Sequence, residues 1–181
     1  MSPEADGRRI LLTDGPLDDR ARTDRLILAM TGLRDDFVLK VLGDGPNRSR
    51  LEGLVGLHGL ESDVHLLGRV PDETRASLLR TASCLVSMST AENPGTAVLE
   101  ALAASTRVLV TATAAPVDIG RRVDGSVSLI AVDAHSRTIA DAVRAACREP
   151  RAACRGHCVP RAACRMPRAP RAARAASCQP R

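Results

Sequence analysis

Apolar runs closed by glycine, proline or aspartate alternate along the chain with stretches whose apolar residues recur every three or four positions. The runs are Ile10–Thr13, Phe37–Leu42, Val64–Leu67, Cys84–Met88, Val108–Thr111 and Ser126–Val132, and each predicts a strand. Phe37–Leu42 is almost continuously apolar, the pattern of a strand buried on both faces. Between them, Thr23–Leu33, Ser49–Leu57, Asp72–Thr81, Gly95–Ala104 and Ser136–Cys147 carry helical spacing, as in Leu26, Ile27, Met30 and Leu33. Asp72 reads as the N-cap of the third helix. A helix in each connection makes neighbouring strands parallel and the crossovers right-handed. The predicted class is therefore α/β, a doubly wound parallel sheet of about six strands. Ligands of such sheets bind beyond the carboxyl ends of the strands. That rule directs attention to Asp14–Arg22, Gly43–Arg48, Gly68–Pro71, Ser87–Gly95 and Thr111–Ile119.

The pattern dissolves near Arg144, where Arg-Ala-Ala-Cys-Arg recurs at 144–148, 151–155 and 161–165. Beyond Arg148 the large apolar residues are Val159 and Met166. A segment so poor in them cannot offset the entropy of ordering it. The expected organisation is a domain over 1–148 and a disordered low-complexity tail over 149–181.

Charge sharpens this division. The 181 residues carry a net charge of +5. Residues 1–143 hold 16 basic and 20 acidic residues, while 144–181 hold ten Arg and one acid, Glu149. The foldable part is acidic, which argues against a basic nucleic-acid-binding domain. Phe37 is the single aromatic residue, too few for stacking on single strands. Of six cysteines, 144–181 holds five and 1–143 holds only Cys84, which disfavours a disulfide-stapled secreted domain. No apolar run reaches the ~20 residues of a membrane span, and the N-terminus lacks an apolar signal region. The expected location is the cytoplasm. The tail's composition is what a shifted frame in GC-rich DNA would encode. Its second reading is weak contact with anionic lipid at the inner membrane face, worth ~1 kcal/mol per basic residue near the surface. Cys154, His157 and Cys158 match no standard zinc spacing.

Glu92 and Glu100 are the most informative pair. Glu92 follows a buried strand, and Glu100 lies ~7.5 Å up the next helix. Free N–H groups near Gly95, Thr96 and Ala97 at the helix start suit a diphosphate. Glu100 would then accept from sugar hydroxyls, with Glu92 facing the group beyond the phosphates. The plainer alternative is a helix-start acid and a solvated Glu. Asp44 reads as a turn residue. Gly43-Asp44-Gly45 is not a full dinucleotide fingerprint, because Asn47 and Arg48 follow where Gly is needed. His58, His65 and His135 show no ligand spacing, and Cys84 reads as a small buried hydrophobe.

Glu-x7-Glu after a strand, with Leu-Glu-Ala-Leu-Ala at 99–103, resembles the donor-binding half of retaining GT-B glycosyltransferases of the group 1 type. So do VLKVLGDGPNRSRL at Val38–Leu51, DVHLLGRVP at Asp63–Pro71, ASCLVSMST at Ala82–Thr90 and the strand at Arg107–Thr113. In order and spacing the resemblance covers roughly residues 9–147. It implies transfer from a nucleotide-diphosphate sugar with neither metal nor cofactor. It assigns the ribose to Glu100, the diphosphate to the backbone of Gly95, Thr96 and Ala97, and the transferred sugar to Glu92 as the catalytic contact. Val70 would present backbone to the base, and Gly15 would open the first loop to the phosphates.

Three departures qualify this. Pro16 and Ala21 stand where the family has an Arg and a Lys on the diphosphate, leaving Arg20 and Arg22 as substitutes beside Asp18 and Asp19. Ser105 stands where the family has Gly after the Glu helix. The family's N-terminal acceptor domain has no counterpart in the chain, which predicts a truncated or split enzyme needing an acceptor-domain partner. The alternative reading is a noncatalytic module or degenerate remnant.

Overall fold

The computed structural model describes residues 7–91, 95–113 and 126–148. Glu92 and the 149–181 tail, with the readings attached to them, lie outside the described residues. Six strands form one parallel sheet: β1 (Arg9–Asp14), β2 (Phe37–Leu42), β3 (Val64–Gly68), β4 (Cys84–Ser87), β5 (Arg107–Thr111) and β6 (Val127–Ile130). The described helices are α1 (Thr23–Met30), α2 (Arg48–Leu57), α3 (Asp72–Thr81), α4 (Gly95–Ala103) and α5 (Ser136–Arg148). The expected α/β class and doubly wound sheet are what the structure has.

Alternation along the strands divides the core into two layers. Leu11, Leu39, Val86 and Leu109 face α1, α2 and α5, meeting Ile27, Met30, Val55 and Val143. Leu12, Leu85, Val108 and Val110 face α3 and α4, meeting Leu78, Leu79, Val98 and Ala101. All six residues of β2 are buried, Lys40 among them, as its unbroken apolar run requires. Each such Leu, Ile or Val contributes ~1.5–3 kcal/mol relative to exposure.

The strand order is β3-β2-β1-β4-β5-β6. The chain winds outward from β1 to β3 and then returns to build β4 to β6 on the other side. The direction of winding therefore reverses between β1 and β4. Six register pairs join β1 to β2, from Arg9↔Phe37 to Asp14↔Leu42, whereas Leu11↔Cys84 and Leu12↔Leu85 join β1 to β4. Helix α5 packs on α1, β4 and β5. Its last turn is tied down by Arg9, whose Nη1 donates to the Cys147 carbonyl at 3.1 Å while its guanidinium lies 4.3 Å from the Phe37 ring centroid.

Local differences from expectation have physical causes. Helix α1 ends at Met30 rather than Leu33. The Gly32 and Leu33 N–H groups bond three residues back, to Ala29 and Met30, so the apolar pattern continues through a tightened turn. Asp72 is not the N-cap of α3. Pro71 holds that position with extended backbone, and its carbonyl accepts from Arg75 N–H at 2.9 Å. Asp72 instead supplies negative charge to the first turn, where the helix dipole favours it. After α4, Thr106 N–H bonds Ala101 O and Ser105 N–H bonds Leu102 O, the paired closure of a Schellman end. Ser105 takes the left-handed position of that motif at φ 56°.

Candidate active site

Where β1 and β4 diverge, a cleft of about 400 Å³ opens beyond their carboxyl ends, with Asp14, Gly15, Arg20, Ser87, Thr96 and Ala97 in its wall. The loop after β1 that lines it is pressed against the loop after β2. A Cβ on Gly43 would lie 2.0 Å from the Gly15 carbonyl oxygen, and one on Gly45 would lie 2.6 Å from that of Leu17. Gly43 also has φ 96°, a conformation that side chains disfavour. Only glycine allows the Gly-Asp-Gly-Pro turn to sit this close to the loop after β1. Leu17 N–H donates to Asp44 O at 3.1 Å and Asn47 N–H to Leu17 O at 2.9 Å, which locks the contact. Asp44 is a turn residue, its Oδ1 accepting from Gly45 N–H at 2.9 Å.

The acids of the first loop hold its shape. Asp18 Oδ1 accepts from the Arg20 and Ala21 N–H groups at 3.0 and 2.9 Å, and Asp19 Oδ1 accepts from Asn47 Nδ2 at 2.8 Å. The Arg20 carbonyl accepts from Thr90 N–H at 2.9 Å, which joins this loop to the one after β4. Arg20 is exposed in the cleft wall, and its guanidinium makes no ion pair with the described residues. Arg22 is placed differently. Its Nη1 donates to the Val132 carbonyl at 2.9 Å, and it is not in the cleft wall.

Of the residues singled out from sequence, Gly15, Arg20, Thr96 and Ala97 meet in the cleft. Gly95 is the first residue of α4. Val70 follows β3, packs on the second core layer and is not in the cleft wall. Glu100 lies one step over, in the groove between α3 and α4 lined also by Arg75, Leu79 and Ala103.

The structure joins Arg75 and Asp14 in this region, a pairing that the sequence did not reveal. Arg75 of α3 lines both the cleft and the groove. Its Nε donates to Asp14 Oδ2 at 2.5 Å, and its Nη1 donates to Glu100 Oε2. Burial works against the charge on Arg75, but the bonds and charges of Asp14 and Glu100 outweigh it and raise the guanidinium pKa above its ordinary value. One signal was available. Arg75 stands three and four residues before Leu78 and Leu79, which puts a charge on the inward face of α3.

His65 and Cys84 are not in the cleft wall. His65 of β3 pairs in register with Lys40. Burial, then Lys40 and Arg8, lower its pKa against the opposing pull of Asp63. The buried Cys84 thiol is pushed up by its interaction with Cys147 and by burial. No His, Cys, Asp and Glu cluster suited to a metal occurs among the described residues, and none of their helices is long and apolar enough to cross a membrane.

The sequence model of the family "Glycosyl transferases group 1" matches residues 2–155. No curated protein matches the chain. Among solved structures, the chain resembles WaaG, a glycosyltransferase involved in lipopolysaccharide biosynthesis, at 26% identity and TM-score 0.67, over 79% of this chain and 39% of WaaG. It resembles sucrose-phosphate synthase from Thermosynechococcus elongatus at 25% identity and TM-score 0.67, over 77% of this chain and 36% of that one. It shares its fold with Anabaena HepE in complex with UDP and glucose, at 17% identity and TM-score 0.67, over 82% of this chain and 44% of HepE. The chain thus spans about two fifths of the length of these proteins.

Proposed function

The chain belongs to the group 1 glycosyl transferases, and on that premise we propose that it is a donor domain for a nucleotide-diphosphate sugar, serving metal-independent, retaining glycosyl transfer. The observation that carries this reading is the meeting of Gly15, Arg20, Thr96 and Ala97 in one cleft at the point where the sheet's winding reverses. The diphosphate takes the start of α4, where free N–H groups and the positive end of the helix dipole favour an anion. Arg20 adds a full charge. Together they stabilise the negative charge that develops as the sugar leaves. Glu100 accepts from the ribose, Val70 offers backbone to the base, and Glu92 contacts the transferred sugar. The acceptor site belongs to a partner domain.

Calorimetric titration with UDP-, GDP- and ADP-sugars tests the proposal, and UDP-glucose is the first probe because the HepE structure holds UDP and glucose. Binding that survives a chelator and is lost in Glu100→Ala is expected. Absence of binding across the panel would overturn it. A second reading, a module that binds the donor without turning it over, is favoured by the charge of the cleft. Its wall holds the cations Arg20 and Arg75 but also the anions Asp14 and Asp18. Donor binding without transfer to any acceptor, in the presence of an acceptor-domain chain, would select this second reading.

A further inference from the structure

We infer that Arg75, anchored by Asp14, is a positioning residue that presents the Glu100 carboxylate to the sugar hydroxyls of a nucleoside diphosphate. The inference rests on the donor-domain reading and assigns residues that the family resemblance did not supply. Arg75 reaches Glu100 from α3, on the far side of the groove from α4, and Asp14 reaches Arg75 from the end of β1. Three separate elements therefore converge on one guanidinium. The Asp14 side chain is 12% exposed and that of Arg75 is 23% exposed, whereas that of Glu100 is 43% exposed. The inner pair is the fixed part and the outer carboxylate is the part open to a ligand.

The division of atoms suits that role. Arg75 Nη1 engages Oε2 of Glu100, and Oε1 makes no bond with the described residues. A carboxylate has acceptor sites on both oxygens, so Glu100 keeps an oxygen for a hydroxyl donor while Arg75 holds its rotamer. A free Glu on a helix surface would have to be ordered by the ligand, and removing that cost is what preorganisation contributes to affinity. Charge agrees with an uncharged hydroxyl donor rather than a phosphate. Two carboxylates around one guanidinium leave a net negative group, which repels an anion and accepts from a hydroxyl. The cleft and the groove meet at Arg75, so a phosphate at α4 and a ribose at Glu100 would lie on its two sides.

The test uses UDP, GDP and ADP and their 2′-deoxy counterparts on the full chain, with Arg75→Gln, Arg75→Lys, Asp14→Asn and Glu100→Gln. Wild type is expected to prefer the ribonucleotide about tenfold, the effect of one hydrogen bond to a charged group. Glu100→Gln and Arg75→Gln are expected to bring that preference close to one, and Asp14→Asn to reduce it in part. Arg75→Lys restores a charge but not the two-sided contact, so it is expected to recover little. Melting temperatures identify folded variants. Should Arg75→Gln not fold, Asp14→Asn and Arg75→Lys carry the test. No nucleotide binding by wild type would overturn the donor reading and this inference with it. Ribonucleotide preference that is lost in Glu100→Gln but kept in every folded Arg75 and Asp14 variant would overturn the positioning role alone.

Discussion

Ser105 is expected to lower the stability of the domain. The Schellman closure after α4 needs a left-handed residue, and Ser105 occupies it at φ 56°, a conformation that costs an ordinary residue about 1–2 kcal/mol. Ser105→Gly is expected to stabilise the chain by about 1 kcal/mol, read as a shift in the urea midpoint at unchanged slope. Arg20 and Arg22 make the same point for binding. They stand two positions apart with the same side chain, and sequence could not choose between them. The choice is made by the Val132 carbonyl, which takes up Arg22 from 110 residues away. Arg20→Ala is expected to weaken nucleoside diphosphate binding about tenfold or more. Arg22→Ala is expected to change binding little while lowering the melting temperature. Calorimetry and thermal scanning on both variants check the contrast.

At the scale of elements, what sequence reveals depends on how local the cause is. The strands and helices were legible because burial imposes periods of two and of 3.6 on neighbouring residues. The Gly-Asp-Gly-Pro turn was legible as a turn but not as a clamp, because its glycines answer to Gly15 and Leu17 on another loop. Arg75 was missed for the same reason, since its meaning lies in Asp14 and Glu100 on two other elements. The end of α1 and the cap of α3 differ from the sequence pattern because turn geometry there overrides the side-chain signal. Glycines test this distinction. Gly43→Ala is expected to destabilise the chain by several kcal/mol or prevent folding, because the new Cβ meets backbone that cannot yield. Gly53, inside α2, faces open space, and a methyl group there would meet nothing within 4 Å. Gly53→Ala is expected to stabilise by about 0.5–1 kcal/mol through helix propensity alone. Opposite shifts in melting temperature are the expected result.

For the whole molecule, His65 links stability to pH. Its folded pKa lies below the ordinary 6.5 because burial, Lys40 and Arg8 disfavour the proton. The unfolded chain therefore binds that proton more readily, and stability rises with pH through this window. The contribution is complete above pH 6.5 and is lost as pH falls through the folded pKa. Urea unfolding at about pH 7.5 and about pH 5.5 should show a smaller decline in His65→Gln than in wild type. The junction of β1 and β4 has a different consequence. It carries the cleft, yet two register pairs span it where six join β1 to β2. The sheet is held by the fewest register pairs at this junction, and α5, bonded to β1 through Arg9, packs on β4 and β5 beside it. Thermal fluctuations that part the two halves would widen the mouth of the cleft first, so entry of a bulky ligand and partial unfolding of the sheet share one coordinate. Amide exchange along Leu11, Leu12 and Leu85 should accordingly slow when the cleft is filled.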